Sequence, residues 1–324
     1  MHSASGTRGL VSAIVPTIGR PDSLARLLES LARQSQTPDE VIVADGSSNA
    51  ETTAIVFDKI WRDRNLLVKR VGVRPPNAVR QRLAAIAASR GQFLLLLDDD
   101  VVLEPDCIEQ MTTVFLRDAA VVGVVADFNN QSWPGPTWAW RLYLRYVLRL
   151  QDGAWQGRVL GPLLRFGYSP TPKEEMPMEW LGGGNSMIRR SAYDMVGGFS
   201  NFFLHRSTMN EDVDLGLRIS EVGKIVFCPA ARMGHFHAPG GRVSRMIAAE
   251  DDLFNRFLVL HHTQHRSTIE ALALVCLYFA VETTSSIGSC LRRFRGSGAG
   301  GLFVGRLRAL LRIIVRNHST TDRV

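Results

Sequence analysis

Short apolar runs punctuate the first hundred residues. They stand at 11–17 (VSAIVPT, broken by Pro16), 40–44 (EVIVA), 66–73 and 93–97 (FLLLL). Between them the apolar residues change spacing. Leu24, Leu27, Leu28 and Leu31 follow Arg20-Pro21-Asp22-Ser23 at helical intervals, and the segments 77–89, with Arg80 and Arg82, and 105–116 read the same way. A short continuous run predicts a buried strand, and i, i+3, i+4, i+7 spacing predicts one face of a helix. Strands that alternate with helices predict an α/β fold built on a parallel sheet.

Polar residues gather where those strands stop. Thr17, Asp45 and Asp98-Asp99-Asp100 would lie along one edge of the sheet, the edge at which such sheets bind ligands. Phe93–Leu97 runs straight into the three carboxylates. Adjacent anions repel, so the triplet is either a solvated acidic turn or the oxygen shell of a hard divalent cation, itself bound to phosphate. No GxGxxG follows the first strand and no GxxxxGK[ST] occurs, which argues against a dinucleotide oxidoreductase and a P-loop enzyme. Phosphates would be held by a metal and by arginine side chains.

Composition adds bounds. The 324 residues are 45% hydrophobic and 21% charged, enough for one large domain or two modest ones with a real core. Cys107, Cys228, Cys276 and Cys290 are far apart and lack metal-ligand spacing, so a reducing compartment is the simpler reading. Residues 1–10 carry one Arg and no apolar core, unlike a secretory signal. No stretch offers the roughly 20 apolar residues of a spanning helix. Ala271–Val281, fenced by Glu270 and Glu282, comes nearest and reads as a buried or interfacial helix. The net charge of +7 resides after Cys290, in eight arginines (292, 293, 295, 306, 308, 312, 316, 323) against Asp322. The rest is formally neutral, which does not suggest a nucleic-acid-binding core.

Two regions suggest surfaces. Within Gln131–Pro177, Trp133, Trp138, Trp140 and Trp155 cluster, and Arg141, Arg145 and Arg149 recur at i, i+4, i+8. That is either a membrane-facing basic stripe or a solvated helix face; the prolines suggest mobile loops. Leu302–Val315 is mostly apolar, with Arg308, Arg312 and Arg316 as one cationic stripe able to lie on anionic lipid. Glu250-Asp251-Asp252 reads as a solvated helix face.

The ordered set VSAIVPTIGRPDSLARLLESL, VIVADGSS, FLLLLDDDVVLEPD, WLGGGNSMIRRSAYDMVGGF and NEDVDLGLRISEVGKIVFCPAARMGHFH, over roughly residues 10–240, resembles glycosyltransferase family 2. The resemblance implies a GT-A fold, a Rossmann-like mixed sheet flanked by helices, here with a C-terminal helical extension. It divides the chain into a nucleotide-sugar half (1–130), an acceptor and catalytic half (131–240) and a basic, membrane-associated extension (241–324).

The resemblance also implies roles. Pro16, Thr17 and Arg20 would line the nucleotide pocket, Asp45 would bond the base, and Arg80 would face the nucleotide or its phosphates. Asp98, near the ribose, and Asp100, on Mg2+ or Mn2+, would be the outer members of a DXD motif, with Asp99 the variable middle. Asp212, beside Glu211, matches the catalytic base. His235 or His237 would complete the metal site, and Gly183-Gly184-Asn185 would let the backbone approach a sugar. Local alternatives stand beside these: Asp45 as a turn residue, Glu211-Asp212 as charge at a helix N-terminus, and one of the two histidines as a packed or solvent-facing ring.

The implied function is a metal-dependent inverting hexosyl- or deoxyhexosyltransferase. It would move a sugar from a nucleotide-diphosphate sugar to a glycan or lipid-linked acceptor in cell-envelope synthesis, at the cytoplasmic face of a membrane. The rivals are a nucleotidyltransferase, for which Pro16–Arg20 is a poor phosphate loop, and a non-catalytic carbohydrate- or membrane-binding module, whose acids should be eroded.

Overall fold

Four apolar runs form strands β1 (Val11–Thr17), β2 (Glu40–Asp45), β3 (Val68–Gly72) and β4 (Phe93–Leu97), paired in parallel in the order β3-β2-β1-β4. The computed structural model describes residues 9–48, 50–204, 208–240, 243–293 and 299–321. β2 and β4 are buried throughout because both faces of the sheet are covered. Ile14, Ile42, Leu94 and Leu96 enter one hydrophobic cluster, whereas Ala13, Val15, Val41, Leu95 and Leu97 enter the other. Successive side chains along a strand point to opposite faces, which accounts for the split. The connecting helices are α1 (Pro21–Ala32), the short α2 (Glu51–Val56) and α3 (Lys59–Asp63), and α4 (Ala78–Ala87).

The second half makes the sheet mixed. Strand β5 (Val101–Leu103), helix α5 (Cys107–Arg117) and strand β6 (Val121–Phe128) precede helix α6 (Trp138–Leu142) and a small hairpin of β7 (Val159–Leu160) and β8 (Leu164–Arg165). Then come β9 (Met176–Met178), β10 (Asn185–Arg189), α7 (Arg190–Met195), α8 (Glu211–Ser220) and β11 (Lys224–His235). β10 inserts antiparallel between β4 and β6, and β11 runs parallel to β6 but antiparallel to β5 and β9. The complete order is β3-β2-β1-β4-β10-β6-β11-β5, with β9 on β11.

The expected arginine stripe at 141, 145 and 149 does not form. α6 passes into a π-helical turn at Tyr143–Val147 and stops, and Arg149 takes φ 55° beyond it. The three side chains remain exposed without sharing one regular helix.

The extension comprises α9 (Arg245–Leu258), α10 (Thr268–Arg293) and α11 (Ala299–Thr321). It corrects three expectations. Glu250 and Asp251 are buried, not solvated, and Asp252 is held by Arg256 at 3.1 Å. The window Thr268–Ser285 of α10 is long and apolar enough to cross a membrane by length and composition, and only a small part of it is buried. α11 turns part of its charge inward: Arg306 approaches Glu282 and Arg312 approaches Asp251, each at 3.8 Å, and the Arg312 guanidinium lies 3.8 Å from the Phe254 ring centre, whereas Arg308 stays exposed as expected. Buried Asp251 on α9 and half-buried Glu282 on α10 attract these two arginines, and Phe303, Val304, Leu307, Leu311, Ile314 and Val315 face outward. The Arg316 side chain lies outside the described ones. Gly305 permits the close packing, since a Cβ there would sit 2.2 Å from the Met246 carbonyl oxygen.

Candidate active site

The carboxyl ends of β1, β2 and β4 lie side by side, with Thr17 opposite Asp45 in register. Asp99, just beyond β4, is buried and accepts from Thr17 Oγ1 at 2.7 Å and from Arg20 Nη1 at 3.0 Å. Burial pushes its carboxyl up, against the pull of Thr17 and Arg20. The middle acid therefore ties the triplet to the first strand. Pro16 sits within β1, one residue before Thr17.

Asp100 is placed by the far edge of the sheet. Pairing of β5 with β11 sets His235 opposite Val101, and the Phe236 N–H donates to the Asp100 carbonyl at 2.9 Å. The Asp100 carboxylate then accepts from the Ala238 N–H at 2.8 Å and meets His235 Nε2 at 3.0 Å. Burial works against its charge, but the His235 and Ala238 contacts outweigh it and hold Asp100 at about 2. One ligand atom each from Asp98, Asp100 and His235 lie within 4.8 Å of one another. Two carboxylate oxygens and an imidazole nitrogen form a donor set suited to a divalent cation. His237 is exposed, its ring 4.1 Å from that of His235, and Gln131 Nε2 reaches both imidazoles. The cluster thus contains His235, with His237 beside it.

Distant segments meet at Arg82. Its guanidinium donates to Glu211 Oε1 at 2.7 Å and to Asp98 Oδ1 and the Gly183 carbonyl at 3.0 Å each. The next amide joins in: Gly183 N–H donates to Asp212 Oδ2 at 3.3 Å. A Cβ on Gly184 would stand 2.4 Å from Asp98 Oδ2. The loop therefore needs glycine to pass between Asp98 on one side and Asp212 on the other. Asn185 anchors it by donating to the Ala126 carbonyl at 2.6 Å.

Glu211 and Asp212 open α8 after Asn210, whose left-handed φ of 72° turns the chain into the helix. Burial, then the adjacent Asp212, push Glu211 up to about 7 against the pull of Arg82. Arg82 loses from burial but gains more from Glu211 and Asp98, so its charge is reinforced.

Two expected ligand residues are engaged otherwise. Asp45 is fully buried, accepting from the Ser47 N–H at 2.7 Å and Arg70 Nε at 2.8 Å; this is the turn arrangement that Asp favours. Arg80 donates to the Leu204 carbonyl at 3.3 Å. Arg82, two residues on, is the arginine at the acids. It shares the buried face of α4 with Val79 and Ile86, and nothing local in the sequence prefers it to Arg80. Gln131 and the Ala238 N–H carried no local signal. Arg20, Arg80 and Arg82 each keep a buried Nε without a hydrogen-bond partner, so the neighbourhood retains donors suited to an anionic ligand.

The model of glycosyl transferase family 2 matches residues 12–196. A curated relative, the N-acetylglucosaminyl-diphospho-decaprenol L-rhamnosyltransferase of Mycobacterium tuberculosis, is 25% identical over 262 residues, covering 74% of this chain and 81% of that protein. Among solved structures, GalNAc-T7 with UDP, GalNAc and Mn2+ superposes with a TM-score of 0.57 at 17% identity, covering 79% of this chain and 48% of the other. Staphylococcus aureus TarS 1-349 with UDP-GlcNAc gives 0.56 at 13% identity, covering 94% and 83%. These likenesses show a GT-A fold.

Proposed function

The chain belongs to glycosyltransferase family 2, and on that premise we propose that its site performs a metal-dependent, inverting sugar transfer from a nucleoside-diphosphate sugar to a glycan or lipid-linked acceptor. The observation that carries the proposal is the convergence of Asp98, Asp100 and His235 with Glu211 and Asp212, through Arg82 and the Gly183 peptide. The cofactor reading is Mg2+ or Mn2+ on Asp98, Asp100 and His235; bound there, the ion supplies charge stabilisation to the departing diphosphate.

The chain's own residues do the rest. Asp212, half-buried at the start of α8, takes the proton of the attacking hydroxyl as general base. Glu211, neutralised by Arg82, positions the α8 N-terminus. Gly183 and Gly184 keep the backbone close to the reacting sugar. Thr17 and Arg20 orient the acidic triplet and border the nucleotide. One base and one displacement invert the anomeric centre without a covalent sugar intermediate. Residues 1–130 serve the donor, 131–240 the acceptor and 241–324 the membrane.

The relative's printed name specifies a diphospho-decaprenol acceptor, and a lipid-linked acceptor in envelope synthesis is the reading carried here. The outward apolar face of α11 supports peripheral attachment at the inner face of the cell membrane.

The test is nucleoside-diphosphate release from a panel of sugar nucleotides with Mn2+, Mg2+ or EDTA. One donor should turn over only with metal, and Asp212→Asn should slow acceptor-dependent release by about 100-fold or more. Full transfer by Asp212→Asn, or metal-independent turnover, would sink the mechanism.

A further inference from the structure

A cavity of about 370 Å³ lies where the second half of the catalytic domain meets the extension. Its walls include Trp133, Trp140, Arg165, Phe166, Tyr278 and Glu282. This volume is at the small end of ligand pockets. None of Thr17, Arg20, Asp45 or Asp98–Asp100 lines it, so it is separate from the donor edge of the sheet.

The cavity is nevertheless coupled to the catalytic acids. Arg165 Nη1 donates to Asn210 Oδ1 at 2.7 Å, and Asn210 immediately precedes Glu211 and Asp212. Arg165 also lies over the Trp180 ring at 5.8 Å, and Trp133 packs edge-on to Trp180 at 5.6 Å. Trp180 leads directly into Leu181 and the Gly182–Gly184 loop. Both connections run from the cavity wall to segments that hold Asp212.

The chemistry of the wall selects a ligand class. Arg256 is paired with Asp252 at 3.1 Å and Glu282 faces Arg306 at 3.8 Å, while Arg165, bonded to Asn210, forms no ion pair with a carboxylate among the described residues. One guanidinium on a wall that also carries the Glu282 carboxylate gives a diphosphate little to bind. A pyranose fits better, because its C–H face packs on aromatic rings while its hydroxyls can use a carboxylate and a guanidinium together. The polar groups are held for that task. Glu282 Oε1 accepts from Trp140 Nε1 at 2.8 Å, Trp140 stacks with Tyr278 at 6.0 Å, and Arg256 lies 3.9 Å from the Tyr278 ring centre while donating to the Pro162 and Leu163 carbonyls at 2.8 Å each.

We propose that this cavity binds a pyranose ring of the acceptor other than the one that carries the attacking hydroxyl, since Asp212 and Gly182–Gly184 do not line it, with Glu282 and Arg165 as its hydroxyl-recognising groups and Trp133 as its stacking wall. The assignment rests on the glycosyltransferase reading above and deepens it. Tyr278 and Glu282 belong to α10 and Arg256 to α9, all beyond the matched residues 12–196. Acceptor choice is therefore written partly in the C-terminal extension, which serves the site as well as the membrane.

The experiment is saturation-transfer NMR of the full chain with the methyl glycosides of glucose, galactose, mannose, rhamnose and N-acetylglucosamine. At least one should bind saturably through its ring protons. Its affinity should fall roughly tenfold in Trp133→Ala and in Glu282→Gln, about one lost hydrogen bond or stacking contact. Glu282→Gln keeps the acceptor for Trp140 Nε1, and thermal melting shows that each variant is folded. If no glycoside binds the wild type, or if the folded variants bind as it does, the assignment is overturned. Metal-dependent donor turnover is measured separately, and its absence would overturn the glycosyltransferase mechanism without depending on the binding result.

Discussion

Arg82 and Glu211 form a buried ion pair 2.7 Å long across 129 residues of sequence. It locks α4, under the donor edge of the sheet, to the first turn of α8. Deleting one partner of a buried pair strands the other charge, which costs about 3–5 kcal/mol. Arg82→Met should therefore lower unfolding stability by that order in urea titration at pH 8, above the value of about 7 to which Glu211 is raised and where it carries its charge. Glu211→Gln, which leaves a hydrogen-bonding amide facing Arg82, should cost less. Equal, small losses would show that the pair is dispensable.

The titration of Glu211 makes a signed prediction. Its carboxyl is raised to about 7 in the folded state, against about 4.3 in an unfolded chain. Between those values the folded protein retains a proton that the unfolded chain has released. Stability therefore falls as pH rises through that window and levels off above it. Thermal melting from pH 4.5 to 8 should show this slope in the metal-free wild type, and Glu211→Gln should flatten it. An unchanged slope in the variant would assign it to another group.

Gly184 has no room for a side chain, since the added Cβ would stand 2.4 Å from Asp98 Oδ2. Gly184→Ala must displace Asp98 or the loop holding Asp212. The expected result is at least a roughly 100-fold loss of turnover, the scale of a misplacement near 1 Å, with weaker stabilisation of the protein by Mn2+. Wild-type turnover would show that the loop can move without harm.

The outward stripe of α11 should govern lipid attachment. Leu307 and Leu311 are 40% and 56% exposed, so charge there costs the fold little. A Leu307→Glu/Leu311→Glu double variant should lose flotation with anionic vesicles while keeping its melting temperature. Arg312→Gln, whose parent residue faces Asp251 and Phe254, should lower the melting temperature instead. The opposite pattern would restore the arginines as the lipid-facing surface.

Much of the catalytic domain is legible in the order of residues. Runs such as Phe93–Leu97 are too short and too apolar for anything but a buried strand, and the Asp triplet follows at the edge where α/β sheets bind ligands. Arg82 was less accessible, because a helix turns two neighbouring arginines by 200° relative to one another, and only packing says which face meets the acids. Asp45 illustrates the same limit: an Asp before Gly suits a turn or a ligand contact equally, and Arg70 from the neighbouring strand occupies its carboxylate.

By itself, the sequence determined the alternation of strands and helices, the edge on which the acids gather and the family to which the chain belongs. These follow from local spacing and from residues close together along the chain. Tertiary structure alone decided that His235 joins Asp98 and Asp100, that Arg82 joins Asp98 to Glu211, and that Arg306 and Arg312 of α11 turn toward Glu282 and Asp251. Each of those outcomes depends on a partner supplied by a distant segment, and a charge settles toward the counter-charge that packing presents, which no local pattern encodes.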